Sequence, residues 1–105
     1  MARPTEHGEL WEARLGKVRP VEIVSRDDVS GRRDRVTLAS VTTALRDAPT
    51  HVALDHRDGL PRVSTINCDE LYTVPKNQLI RRIGRLSEPK IEALDQALEF
   101  ALGLN

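Results

Sequence analysis

The sequence predicts a mainly β domain with an α component: a small antiparallel barrel and one C-terminal helix. Three observations carry this. Short stretches rich in β-branched residues recur at close spacing between glycine, proline and polar breaks, the pattern of an antiparallel sheet that curls on itself. One apolar stripe at helical spacing, capped at both ends, lies near the end of the chain. The 105 residues include one Trp, one Tyr and one Phe, so a single domain must build an aliphatic core, which favours self-association.

Residues 1–7 read as a flexible arm, and residues 8–105 as one folded domain. Glu9 to Leu15 alternates imperfectly between glycines and is expected as a strand, with Gly16, Lys17 and Val18 as a tight connection. Pro20 suits the start of the next strand, since it has no N–H to give to a ladder. Val21, Ile23 and Ser25 then face one way and Glu22 and Val24 the other, which predicts a wet side. Asp27 to Arg35 is a polar loop around Ser30 and Gly31. Arg35 to Thr43 is the strongest strand, with β-branched residues at Val36, Thr37, Val41, Thr42 and Thr43, and is expected at the centre of the sheet. Thr50 to Leu54 and Val63 to Asn67 are two further short strands. In the helix Ser87 is the expected N-cap, Glu88 and Pro89 suit the first turn, and Gly103 is the stop. Ile91, Leu94, Leu98, Ala101 and Leu102 form its apolar stripe.

Charge and cysteine usage narrow the classes of function. Net charge is zero, yet from Ser87 onward Glu88, Glu92, Asp95 and Glu99 stand against Lys90, so residues 1–86 hold an excess of three positive charges. Thirteen of the sixteen basic residues are arginine, whose planar fork suits phosphate and stacked bases; a GC-rich genome gives the same bias. Neither a membrane-length apolar run nor a leader is visible, which predicts a soluble cytoplasmic protein. The single Cys68 has no disulfide partner, and burial is its expected fate. Three scattered histidines and one cysteine make no metal site, and phosphate-binding glycine motifs are absent, so no cofactor is expected. His51 sits among alternating strand residues, where a structural role is expected.

Two residues suggest chemistry. Arg19 stands at the mouth of one strand and Thr42 at the end of the next, so one face of a small barrel could offer a phosphodiester two hydrogen-bond donors. Around them, Gly8-Glu9-Leu10-Trp11, Arg19-Pro20-Val21, Val41-Thr42-Thr43, Pro49-Thr50-His51-Val52, Ser64-Thr65-Ile66-Asn67-Cys68-Asp69, Ile83-Gly84-Arg85-Leu86-Ser87 and Ala101-Leu102-Gly103-Leu104 follow one another over residues 8–104. Jointly these segments resemble the MazF/PemK endoribonuclease toxins of type II toxin-antitoxin systems, and the compact turn at Gly16 is most similar to the short-looped actinobacterial type.

The resemblance implies an SH3-like barrel with a C-terminal helix, working as a homodimer that cuts single-stranded RNA at short sequences without a metal ion. It implies attack by the ribose 2′-hydroxyl on the adjacent phosphorus, leaving a 2′,3′-cyclic phosphate and a 5′-hydroxyl, with translation and growth inhibited. Arg19 matches the family's catalytic arginine and Thr42 its catalytic threonine or serine. Asp69 aligns with an acid proposed as the base in the PemK branch; an arginine two positions earlier in that branch is here Asn67. RNA contacts are expected from Lys17, Arg26, Arg32, Arg33, Thr43 and Asn67, while Arg81 and Arg82 read as a charged rim. Trp11 is the aromatic expected to be buried and Tyr72 the one available for stacking. A cognate MazE-like antitoxin with an acidic tail is the implied partner. Two alternatives share the fold: a gyrase-poisoning toxin of the CcdB type, which has no use for the Arg19 and Thr42 pair, and a non-catalytic SH3-like RNA-binding module.

Overall fold

A computed structural model describes residues 3–104. Its strands are β1 (Glu9–Leu15), β2 (Lys17–Ile23), β3 (Arg35–Thr42), β4 (His51–Leu54), β5 (Ser64–Pro75) and β6 (Leu79–Arg85), followed by helix α1 (Glu88–Leu102). They form one antiparallel sheet in the order β4-β5-β3-β2-β1-β6, which is curled, with apolar clusters on both faces. β3 sits inside the sheet as its composition predicts. The turn between β1 and β2 is shorter than expected: pairing runs to Leu15↔Lys17, so only Gly16 is left between the strands. Its φ of +81° is a conformation glycine adopts at no steric cost.

Strand alternation divides the core in two. On one face Leu10, Ala39, Leu54, Ile66 and Cys68 pack beneath Ile91, Leu94 and Ala97 of α1. Trp11, Val21, Ile23, Val36 and Leu38 form the other cluster. The helix stripe therefore runs through Ala97, whereas Leu102 is exposed. Ser87 stands at the N-cap without a side-chain bond, while Gly103 turns left-handed (φ 69°) and caps the C-terminus as expected. Lys90 donates to Asp58 at 2.5 Å, tying the helix to the β4–β5 loop.

Four further expectations change. Glu22 does not face water: it lies between Leu10 of β1 and Ala39 of β3, on the face that α1 and its neighbouring loops cover, and is fully buried. Neither carboxyl oxygen has a hydrogen-bond partner. Burial, with the nearby Asp58 and Glu9 carboxylates, pushes its pKa up to about 9, so Glu22 is a neutral acid inside the protein.

The expectation of a loose arm fails over residues 3–7, while residues 1 and 2 lie outside the described chain. Thr5 is buried and exchanges backbone hydrogen bonds with Asp28. Lys76, almost fully buried, donates to the Arg3 carbonyl at 2.7 Å and to Asp28 at 2.5 Å. The Arg3 guanidinium stands 5.4 Å from the centre of the Trp11 ring. The two ring nitrogens of His7 reach the Val24 carbonyl at 3.0 Å and the Asp95 carboxylate at 2.6 Å. Burying a charge is costly unless it is paired and hydrogen-bonded, and the arm carbonyl at Arg3 supplies part of what Lys76 needs.

Strand β5 extends eight residues beyond the expected end at Asn67, to Pro75, and Arg81 and Arg82 belong to an edge strand, β6. Arg81 pairs with Glu12 at 2.6 Å and Arg82 with Glu9 at 2.7 Å. Between Ala39↔Leu71 and Ser40↔Asn67, β3 advances one residue and β5 four. The resulting bulge of Cys68, Asp69 and Glu70 decides where three side chains point.

Candidate active site

The pairing of β2 with β3 runs through Ile23↔Leu38, Glu22↔Ala39 and Val21↔Ser40 and then stops. Continued two residues further, the same register sets Arg19 opposite Thr42. An open pocket of about 420 Å³ lies there, and Lys17, Arg19, Thr42, Thr43, Glu70 and Tyr72 all line it. A smaller pocket of about 250 Å³ shares Arg19, Ser40 and Tyr72 and adds an apolar floor of Leu15, Val21 and Val74.

Arg19 is held at its backbone by pairing with Ala13 of β1. Its Nε is buried without a hydrogen-bond partner, and neither Arg19 nor Lys17 enters an ion pair among the described residues. A buried guanidinium N–H without an acceptor is an unsatisfied donor, which is uncommon in a folded protein. On Thr42, Oγ1 accepts from the Ala44 N–H at 3.1 Å. That bond fixes the side chain through its oxygen and leaves the hydroxyl proton available to a ligand.

Lys17, Arg19, Thr42 and Thr43 are thus brought together. The other sequence-predicted residues are not. Asp69 lies on the bulge, its carboxylate accepts from the Thr50 hydroxyl at 2.7 Å, and it is not among the residues that line the pocket. Asn67 is a brace: its Oδ1 accepts from the Asp69 N–H at 2.9 Å and its Nδ2 donates to Glu70 at 3.0 Å. Arg26, Arg32 and Arg33 follow the far end of β2, a strand of roughly 20 Å at the usual rise per residue, and stand on the opposite loop. Arg33 there donates its backbone N–H to Asp28.

Among the other residues considered, His51 borders a separate groove between β4 and α1 and lies 3.4 Å from the Thr65 hydroxyl. Cys68 is buried, and its thiol is pushed up to about 12, first by burial and then by the Glu22 and Asp69 carboxylates, so it is a core residue and not a nucleophile. Two pocket residues escaped the sequence reading. Glu70 sits on a bulge that no local pattern marks, and Ser40 reads as an ordinary strand residue. For Tyr72 the β-rich run Tyr72-Thr73-Val74 was a usable signal that the strand continues.

Comparison with known proteins agrees with this geometry. The family model for PemK-like, MazF-like toxins of type II toxin-antitoxin systems matches residues 6–102. The probable endoribonuclease MazF5 of Mycobacterium tuberculosis is 35% identical over 98 residues, with 90% of each chain covered. Endoribonuclease MazF3 of the same organism is 38% identical over 93 residues, covering 89% of this chain and 90% of that protein. Among solved structures, the M. tuberculosis toxin MazF-mt6 superposes with a TM-score of 0.86 at 36% identity, over 92% of this chain and 98% of its own. A mycobacterial endoribonuclease in complex with its cognate antitoxin gives 0.86 at 28% identity, over 96% and 97%. The chain belongs to the PemK-like, MazF-like toxin family of type II toxin-antitoxin systems.

Proposed function

We propose that this protein is an endoribonuclease toxin that cuts single-stranded RNA by turning the substrate's own 2′-hydroxyl on the adjacent phosphorus. The observation that carries the reading is the convergence of an unpaired, partly buried Arg19 and the donor hydroxyl of Thr42 on one pocket. Attack of O2′ forms the O2′–P bond and breaks the P–O5′ bond, with solvent taking the 2′ proton and returning one to O5′, leaving a 2′,3′-cyclic phosphate and a 5′-hydroxyl. Charge builds on the non-bridging oxygens as this happens. Arg19 clamps that charge as a permanent cation, and Thr42 adds a hydroxyl donor. DNA, which lacks the 2′ nucleophile, is bound at most.

Kinship with relatives named as endoribonucleases, one of them solved with its cognate antitoxin, supports the same reading. In the cell it implies a homodimer in the cytoplasm, restrained by an acidic antitoxin segment that competes for the RNA groove, and translation blocked once the antitoxin is lost. The test is purified protein with a defined single-stranded RNA in EDTA, followed by analysis of the new ends. Fragments with 5′-hydroxyl and cyclic-phosphate ends are expected. Intact RNA overturns the proposal, and RNA that is bound but returned whole replaces it with a binding module.

A further inference from the structure

We propose that Glu70 and Tyr72 form a nucleobase receptor beside Arg19 and Thr42, built to select guanine at one of the two positions flanking the cleaved bond. The inference rests on the nuclease reading above and names a determinant of its sequence preference. Glu70 is the one carboxylate among the residues lining the larger pocket, and Tyr72 its one aromatic ring. A carboxylate at that place repels the RNA backbone that Arg19 and Lys17 attract, and Glu70 balances no cation: it enters no ion pair among the described residues.

Two neutral donors hold it instead. Asn67 Nδ2 donates to its Oε1 at 3.0 Å and the Tyr72 hydroxyl to its Oε2 at 3.3 Å. Each oxygen keeps a lone pair, so the group is an oriented, two-point acceptor with no donor of its own. A base stacked on the Tyr72 ring would present its Watson–Crick edge to that acceptor. Guanine alone offers two adjacent donors there, N1–H and N2–H, matching the two oxygens. Cytosine and adenine offer one amino group beside a ring nitrogen acceptor. Uracil places its single N–H between two carbonyls and is the poorest match. The bulge makes this arrangement possible, because its surplus residues turn Asp69 to Thr50 and leave Glu70 to the pocket.

The test is cleavage of a single-stranded RNA pool randomised over several positions, in EDTA, with the 5′-hydroxyl ends sequenced to give base frequencies around the cut. At one flanking position guanine should exceed uracil roughly tenfold or more, and Glu70→Gln should bring that ratio to within about twofold, the scale of one two-point base contact. Frequencies at the other positions should not move. Should Glu70→Gln fail to fold, Tyr72→Phe is the second variant: it keeps the ring, releases Oε2 and should narrow the guanine preference. A wild-type profile without guanine at either flanking position overturns the inference. So does an unchanged profile in the folded variants, or an equal loss of rate on all sequences, which would assign Glu70 to proton transfer. In each of these cases the nuclease reading stands. If the wild-type protein cuts none of the pool, that reading fails and takes this one with it.

Discussion

Arg19 and Glu22 on β2 and Thr42 at the end of β3 lie on two adjacent strands and are set apart by what surrounds each side chain. Arg19→Ala should lower kcat/KM for RNA cleavage by roughly 10²-fold or more, the usual effect of removing a donor that stabilises developing charge. Thr42→Val keeps the β-branched shape and should cost about tenfold or more, the scale of one hydrogen bond to a charged group; unchanged turnover would remove the hydroxyl from the mechanism. Glu22 shows itself through pH. Its folded pKa of about 9 lies above the ordinary 4.5, so between those values the native protein binds a proton that the unfolded chain has released. Stability is then fully present below about pH 4.5, declines as pH rises, and levels off above about pH 9. One proton corresponds to about 1.4 kcal/mol per pH unit, so from pH 6 to pH 8 the wild-type protein should lose about 3 kcal/mol that Glu22→Gln retains. Denaturant titrations at the two pH values measure it, and parallel curves would contradict the buried acid. Arg19 and Thr42 were legible because strand ends and family segments mark them. The surroundings of Glu22 were not: alternation says which face a side chain takes, not what covers that face.

Elements with a regular period and clear punctuation were legible, and elements shaped by pairing were not. β1, β3 and α1 follow from alternation, β-branching, Pro89 and Gly103. β6 hid because its exposed arginines mask the strand pattern: Arg81 and Arg82 pair with Glu12 and Glu9 across the sheet, contacts that single-sequence patterning does not show. The second half of β5 hid behind its bulge, and the docking of residues 3–7 depends on a lysine seventy residues away. That clasp is open to test. Lys76→Met leaves the Asp28 carboxylate without its cation and the Arg3 carbonyl without its donor. Amide exchange at Thr5 and Asp28 should accelerate at least about tenfold, because a partly buried charge left unpaired destabilises its surroundings. Unchanged protection there would show that the backbone pairing of Thr5 with Asp28 suffices.

For the whole molecule, the placement of charge matters more than its amount. The chain is neutral overall, and its arginine cluster at Arg32 and Arg33 lies at the other end of β2 from the pocket, leaving Lys17 and Arg19 as the cations beside the proposed phosphate path. Two phosphate contacts on a single strand imply a slope of roughly −1.4 in a plot of log binding constant against log salt. Replacing Arg32 and Arg33 together with alanine should leave that slope in place, as binding titrations of an uncleavable RNA analogue would report. A slope that falls with the double replacement would put the loop back on the RNA path.

The packing at the start of the chain also provides a spectroscopic probe. The protein's lone indole, Trp11, donates to Glu9 at 3.0 Å and lies under the Arg3 guanidinium. Its fluorescence therefore reports from the seam where the first residues meet the sheet. Release of those residues would shift the emission to the red before the rest of the protein melts, so detachment could be followed optically without adding a label.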